Sequence, residues 1–160
     1  MTRTPIPLEE IAMPALLRHA RTAYGLSMRT ALGKAGYEDI PQNGLYVIGG
    51  LALLKGGSPL GQLIADLRIS KQAAGQLVDA LVMRGYLERD VDPEDRRKLT
   101  IALTERGRDA AKVQTAARAK VDAALLARVG AKDVERARRV LAVLIDIGRE
   151  LDAKQDKSSS

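Results

Sequence analysis

The stretch that decides the fold runs from residue 81 to residue 107 and reads LVMRGYLERDVDPEDRRKLTIALTERG. On either side of its charged centre, every second residue shares a face, and most of these residues are apolar: Leu87, Arg89 and Val91, then Leu99, Ile101 and Leu103. A period of two is typical of half-buried strands. The stretch therefore predicts strands over Tyr86–Val91 and Leu99–Leu103, joined into a hairpin by the charged turn 92–98.

Two helices are predicted before this hairpin. Ser58 and Pro59 have the residue types of a helix start, a capping hydroxyl and a proline at the first helical position, and the pattern continues to Leu67. Ser70 caps a second helix that ends near Gly85. The face predicted to be buried in this second helix consists of Ala74, Leu77, Val78, Leu81 and Val82.

A helix pair with a tight turn, followed by a hairpin, is the arrangement of a winged helix-turn-helix. The major groove is about 12 Å wide and admits a helix. The second helix begins with small and polar residues, and a basic hairpin tip suits the minor groove. The predicted DNA-binding residues are Ser58, Ser70, Lys71, Gln72, Ala73, Gln76, Arg96, Arg97 and Lys98.

Helices are also predicted on both sides of the winged domain, which spans 41–104. Residues 1–14 are predicted to be an extended arm because they hold three prolines. A helix follows to Ala35, with Gly36 as its stop, and Gln42–Leu54 form another. Thr104 caps a helix that runs to Val129, where Gly130 ends it.

The last helix, over 132–152, has apolar residues at alternating spacings of three and four and a second apolar stripe beside them. One chain of 160 residues offers too little surface to bury both stripes. We therefore expect a homodimer whose helical dimerisation region comprises 15–36 and 105–152, with a disordered tail over 153–160. The fold class expected is mainly α with a small β-hairpin.

Composition excludes several classes of protein. The chain has no cysteine and one histidine, so thiolate metal sites, disulfides and thiol chemistry are excluded. It has no phosphate-binding glycine motif and no evident carboxylate pair, and we expect neither enzymatic activity nor a cofactor. The longest apolar run, Val140–Ile145, is too short to span a bilayer, and no signal pattern is present. We expect a cytoplasmic protein that does not bind membranes.

The net charge is +6, from 26 basic and 20 acidic residues. This balance favours anionic partners such as nucleic acid. The excess is not concentrated in the predicted winged domain, because Ser58–Thr104 contains seven residues of each sign. DNA binding must therefore depend on where individual charges point.

The same residues resemble the multiple-antibiotic-resistance regulator (MarR) family of bacterial transcription factors. The resemblance is most specific from Pro59 to Gly107. It includes the wing Asp92-Pro-Glu-Asp-Arg-Arg97 and the helix start Leu103-Thr-Glu-Arg-Gly107. It implies a homodimer that binds a palindromic operator, usually as a repressor released by a small ligand.

The resemblance also implies roles for single residues. Arg97 would enter the minor groove, with Asp95 holding it in place, and Ser70 to Gln76 would face the major groove. Gly75 departs from the family pattern, which usually has a side chain there. The position either leaves a base unread or lets the backbone approach more closely.

A ligand pocket is the second prediction that the resemblance implies. Its candidate residues are Arg21, Tyr24, Met28 and Tyr46, and Arg29 would be a second anchor for an acidic effector. Ordinary core packing explains the tyrosines and methionines equally well. His19 is interpreted as a surface or interface residue rather than a pH sensor or a metal ligand.

Two other functions remain open from the sequence. An architectural protein would coat DNA without sequence preference, although that mode depends on diffuse positive charge. A winged domain can also serve protein–protein assembly, with the hairpin docking a partner.

Overall fold

The computed structural model describes residues 7–53, 58–59, 69–91 and 99–158. A short 3-10 turn, Leu8–Glu10, comes first. The helices and strands that follow are α1 (Met13–Lys34), α2 (Gly44–Leu53), β1 (Ser58–Pro59), α3 (Lys71–Met83), β2 (Leu87–Val91), β3 (Leu99–Leu103) and α4 (Glu105–Ser158). The fold is mainly helical with one small sheet, which confirms the predicted fold class.

The three strands form an antiparallel sheet in the order β1-β3-β2. Leu87 lies opposite Leu103, Arg89 opposite Ile101 and Val91 opposite Leu99. This register places the alternating residues of both strands on one face, as their period of two predicts. The predicted hairpin is confirmed, and its tip, 92–98, lies outside the described residues.

Helices α1 and α3 end in the same way. Gly36 and Gly85 both have positive φ, at 82° and 74°. The next residue in each case donates its amide hydrogen back into the helix, Tyr37 to the carbonyl of Leu32 and Tyr86 to that of Leu81, each at 2.9 Å. This is the glycine-terminated stop of a Schellman motif, and it confirms both predicted helix ends.

The buried core joins α1, α2, α3, the sheet and the start of α4. The face of α3 predicted to be buried is confirmed, since Ala74 and Leu81 have no exposed surface and Leu77 and Val78 are also buried. Val82 is half-buried against the same core.

The described residues up to Ala119 form one compact unit, and those from Lys120 form a second. The first unit therefore contains α1 and the start of α4 as well as the winged elements. Met28 and Leu32 of α1 lie in the common core, and the Ser27 hydroxyl donates to the carbonyl of Ala117 at 3.2 Å. The helices assigned to dimerisation by sequence thus also complete the core of the winged domain.

The expectation that a helix starts at Ser58-Pro59 is wrong. These two residues form β1, with Ser58 opposite Ile101 and Pro59 opposite Thr100. Proline has no backbone N–H to donate, and it is tolerated in an edge strand because no neighbouring strand on the open side needs that donor. A serine followed by a proline suits either structure, so the pattern alone could not decide. The rest of that predicted helix, 60–67, lies outside the described residues.

Both predicted ends of the chain also need correction. Helix α1 already begins at Met13, inside the predicted arm, because Pro14 fits the first helical turn. Leu8–Glu10 form a 3-10 turn rather than an extended segment. At the other end α4 continues to Ser158, where the sequence predicted a disordered tail from Ala153. Ala, Lys and Gln are good helix formers, and no glycine or proline follows Gly148.

Helix α4 is interrupted at Gly130, where φ is 79° and ψ is 164°. The predicted break between two helices is confirmed there. The second unit leaves many large apolar side chains exposed: Leu125, Leu126, Val129, Val140, Leu141, Val143, Leu144, Ile145, Ile147 and Leu151. Among the described helices, none combines the length and the apolar character needed to cross a bilayer.

Candidate nucleic-acid interface

One face of α3 is polar and open to solvent. Ser70, Lys71, Gln72, Ala73 and Gln76 are all exposed, while the opposite face of the helix lies in the core. The Ser70 hydroxyl accepts a hydrogen bond from the Ala73 amide at 3.1 Å, which satisfies one free donor of the first turn. The structure thus brings five of the predicted DNA-binding residues onto one rigid, capped surface.

Gly75 lies on the half-exposed edge of this surface. A Cβ built on Gly75 would meet no atom of the described residues within 4 Å. Packing within the described chain therefore does not require a glycine here.

An ion pair connects α3 to the hairpin. The Arg89 guanidinium on β2 donates a hydrogen bond to the Asp79 carboxylate on α3, and both side chains are partly exposed. Sequence reasoning did not find this pair, because strand alternation assigned Arg89 to the apolar face.

A second polar cluster lies where α3 ends and the hairpin begins. The Tyr86 hydroxyl donates to Oδ1 of Asp39, which belongs to the connection between α1 and α2. Arg106 on α4 donates to the Tyr86 oxygen at 2.9 Å and to Asp39 at 3.2 Å. The Arg106 guanidinium also lies 4.6 Å from the centre of the Tyr86 ring and 5.5 Å from that of Tyr37. We call these four residues the root cluster.

The root cluster changes the acidity of its members. The hydrogen bond from Tyr86, together with the charge of Arg106, holds the pKa of Asp39 below its usual range. Burial of the ring, followed by the hydrogen bond to Asp39, raises the pKa of Tyr86 to about 12. At neutral pH the cluster is therefore a carboxylate, a neutral phenol and a guanidinium.

The start of α4 fits tightly against the same turn. Thr104 accepts a hydrogen bond from the Gly107 amide at 3.0 Å, as its predicted capping role requires, and its hydroxyl donates to the carbonyl of Gly85. A Cβ on Gly107 would lie only 2.1 Å from the carbonyl oxygen of Tyr86. Only glycine permits this approach.

An open groove of about 720 Å³ lies between α1 and the start of α2. Arg18, Arg21 and Arg29 line it, and no acidic residue is among its described lining. Arg29 donates to the carbonyls of Ile40, Pro41 and Gln42 at 3.3, 3.2 and 2.5 Å. Its charge is balanced only by backbone dipoles among the described residues. We call this cavity the arginine groove.

A second cavity, of about 450 Å³, is lined by Tyr24, Met28, Tyr46, Gln114 and Arg118 among others. Gln114 is only 8% exposed, and its Nε2 donates to the carbonyl of Leu45 at 2.7 Å. Its Oε1 is buried without a hydrogen-bond partner among the described residues. A Cβ on Gly49 would lie 2.6 Å from that Nε2, which explains a glycine inside α2.

The predicted ligand residues are thus divided between two neighbouring cavities. Arg21 lines the arginine groove, Tyr24 and Met28 line the second cavity, and Tyr46 borders both. Arg21 donates to the Tyr46 hydroxyl at 2.8 Å and lies 4.6 Å from the centre of its ring. Within the described residues, no group of three acidic or histidine side chains is placed to hold a metal ion, and His19 is exposed.

Solved structures show the same architecture. FabT of Streptococcus pneumoniae, in complex with DNA, matches with a TM-score of 0.71 and 16% identity, over 86% of this chain and 95% of that one. The S. aureus MepR–DNA complex matches with a TM-score of 0.70 and 18% identity, over 86% of this chain and 98% of that one. The chain has the fold of MarR regulators.

A third MarR-type structure is NadR in complex with 4-hydroxyphenylacetate. It matches with a TM-score of 0.68 and 20% identity, covering 88% of this chain and 97% of that one. No protein-family model and no curated protein sequence matches the chain. The three solved structures nevertheless confirm that the chain has the fold of the family that its sequence resembles.

Several of the predicted DNA-binding residues lie outside the part of the chain that the structure describes. Arg96, Arg97 and Lys98 of the wing tip, with Asp95, lie outside the described residues, and so does the Ser58 side chain. In contrast, Asp39, Arg106 and Gln114 have clear places in the structure that sequence reasoning missed. Their partners are 20 to 69 residues away along the chain, so local patterns carried no signal of them.

Proposed function

We propose that this chain is a transcription regulator that binds duplex DNA in a sequence-specific manner. The observation that carries the proposal is the exposed polar face of α3, capped at Ser70 and tied to the wing hairpin by Arg89 and Asp79. A helix with one face in the core and a polar face outside can enter the major groove without unfolding. MepR and FabT, which share the fold, have been solved in complex with DNA.

Base reading is assigned to the side chains that project from the first two turns of α3. Gln72 and Gln76 offer the paired donor and acceptor that recognise adenine, and Lys71 reaches guanine or a phosphate. At the wing, Arg97 enters the minor groove, and Arg96 and Lys98 contact phosphates. Ser58, Ser70 and Ala73 lie close to the backbone of the duplex, and the missing side chain at Gly75 permits a close approach.

The regulator acts as a homodimer on a palindromic operator. The second unit of the chain exposes Val140, Leu144, Ile147 and Leu151, each between 42% and 59%. Exposed apolar side chains along one helix mark a surface that binds a partner. A second copy of the chain presents the same four side chains by symmetry. Two copies of α3 would then lie about 34 Å apart, one helical turn of DNA.

Competition between DNA sequences tests this function. Fragments are selected from genomic DNA with the purified protein, and a labelled selected duplex is then titrated in excess random duplex. Retention of the labelled complex supports sequence-specific binding. Equal displacement by random DNA supports an architectural protein. Two outcomes support a protein–protein assembly module. In one, the chain binds no duplex at low salt; in the other, the double variant Gln72→Ala with Arg97→Ala binds duplex as tightly as the parent.

Regulation by a small organic anion is the second part of the proposal. The arginine groove suits a carboxylate because three arginines line it and no acidic residue is among its described lining. Leu17, Leu26 and Tyr46 provide apolar walls. Tyr24 and Met28 border the adjoining cavity, where the unpaired Gln114 oxygen accepts a hydroxyl. NadR was solved with 4-hydroxyphenylacetate, which carries a carboxylate and a hydroxyl group. Binding would change the separation of the two winged lobes and release a repressed operator.

Thermal unfolding with 4-hydroxyphenylacetate and a panel of aromatic carboxylates tests the anion site. At least one compound is expected to raise the melting temperature, because a ligand bound only by the native state stabilises it. Arg21→Gln is expected to remove the shift. Lys34→Gln, which removes a charge from the exposed end of the same helix, is the matched control. Equal shifts in both variants would contradict an anion site in the arginine groove.

A further inference from the structure

Three parts of the first unit meet at Asp39. Its carboxylate accepts hydrogen bonds from the Tyr86 hydroxyl at the start of the hairpin and from the Arg106 guanidinium on α4. Its backbone carbonyl receives the Arg84 guanidinium from the end of α3. Asp39 itself belongs to the connection between α1 and α2, outside every element expected to touch DNA.

The turn that Asp39 holds has a special position. Helix α3 ends at Met83 and β2 begins at Leu87, so residues 84–86 set the angle between the helix that reads the major groove and the wing. A rotation within these three residues would move one reading element relative to the other. Both grooves can be contacted together only if this angle is fixed.

We propose that Asp39 is a positioning residue for DNA recognition, which fixes the α3–β2 turn through Tyr86 and Arg84 and so sets the wing relative to α3. The inference rests on the proposed DNA-binding function and adds to it a residue far from the bases. It assigns the root cluster a role in operator affinity in addition to its contribution to the fold.

The exposure of the cluster separates these two roles. The side chains of Asp39 and Arg106 are 43% and 44% exposed, and exposed ion pairs contribute little to folding stability. If the Asp39 carboxylate is removed, Arg106 still donates to the oxygen of the buried Tyr86, but the phenolic proton loses its acceptor, which costs part of the folding stability. Loss of the Asp39 carboxylate should therefore loosen the turn at Tyr86 at a modest cost in stability, while the bond from Arg84 to the backbone carbonyl remains.

The test compares Asp39→Ala with Glu38→Ala, a matched removal of the neighbouring exposed carboxylate, in the whole 160-residue chain. The duplex is the genomic fragment that the parent selects, and a random duplex measures non-specific affinity. Asp39→Ala is expected to weaken operator binding about tenfold, the scale of coupling between contacting residues. Random-duplex affinity should stay close to that of Glu38→Ala, and Asp39→Ala should remain folded at the assay temperature although its unpaired Tyr86 hydroxyl proton lowers the melting temperature. Asp39→Asn, which keeps the acceptor oxygen, should recover most of the operator affinity.

A double-variant cycle and hydrogen exchange complete the test. Tyr86→Phe combined with Asp39→Ala should weaken operator binding by less than the sum of the two single effects, because the two substitutions share the Tyr86–Asp39 bond. The inference is overturned if Asp39→Ala binds the operator like Glu38→Ala, or if operator, random duplex and melting temperature all fall together. If the parent binds no duplex, the DNA-binding proposal fails. In that case hydrogen exchange tests the positioning role separately. Equal exchange rates at Leu87–Val91 in Asp39→Ala and in the parent would overturn it.

Discussion

Arg89 on the first strand of the hairpin donates a hydrogen bond to Asp79 on α3, so one charged bond joins the helix predicted to read the major groove to the wing. The pair is partly exposed on both sides, so its main effect is on orientation rather than on folding stability. Together with the root cluster, it fixes the hairpin at two points along its length.

Replacing Arg89 with Ala is expected to weaken operator binding severalfold, because the hairpin loses its bond to α3. The free energy of unfolding should fall by no more than about 1 kcal/mol, the usual limit for an exposed ion pair. Fluorescence anisotropy with the selected duplex and chemical denaturation measure the two effects. Lys112→Ala breaks the exposed Lys112–Asp109 pair on α4 and serves as the control. Equal operator affinity in both variants would argue against a positioning role for Arg89.

Replacing Gln76 with Ala is expected to weaken binding to the cognate operator by about 1–3 kcal/mol and to relax one operator position. Lys98→Ala should instead weaken all sequences alike and flatten the dependence of affinity on salt, because a phosphate contact carries no sequence information. Binding to a set of single-base operator variants measures both. If Gln76→Ala weakens operator and random DNA equally, the base-reading role assigned to Gln76 is wrong.

Replacing Gly107 with Ala is expected to destabilise the protein by about 2–4 kcal/mol, because the new Cβ would overlap the Tyr86 carbonyl. Gly33→Ala is the control. A Cβ at Gly33 meets no atom of the described part of the chain within 4 Å, and alanine should stabilise helix α1 by about 0.5–1 kcal/mol. Urea denaturation followed by circular dichroism gives both values. A Gly107→Ala protein as stable as the parent would show that the start of α4 does not press against the hairpin as described.

Stability in alkali should depend on Tyr86. The native pKa of Tyr86 is about 12 and the ordinary value is 10.0, so the native state holds the phenolic proton more tightly than the unfolded state does. This contribution to stability is complete below pH 10 and is lost as the pH rises from 10 to 12. The Tyr86→Phe variant should lack that part of the decline. Parallel stability curves for parent and variant across this range would contradict the bonded, buried phenol.

The sequence predicted those parts of the fold that local chemistry determines. Ser70 and Gly85 mark the ends of α3, and the period of two around Leu87 and Ile101 gave the hairpin its register. Ser58-Pro59 was misread because the same two residues suit a helix start and an edge strand. The tail was misread because polar composition was weighed above the helix propensity of Ala153 and Lys154.

The site was predicted in part, and the missing part has one physical cause. The polar face of α3 follows from helix periodicity, so its exposed residues could be named in advance. The bonds of Asp39 to Tyr86 and Arg106 join residues 47 and 67 positions apart, and an isolated charge in a loop carries no sign of such partners. Gln114 was missed for the same reason, since a buried glutamine inside an alanine-rich helix has no local signature.

The most direct measurement is the mass of the complex formed on a labelled operator duplex, by sedimentation in about a hundredfold excess of random duplex. The account predicts that the labelled duplex sediments with two copies of the chain. A labelled duplex that remains free, or that exchanges its protein with random DNA as readily as with itself, would contradict the account.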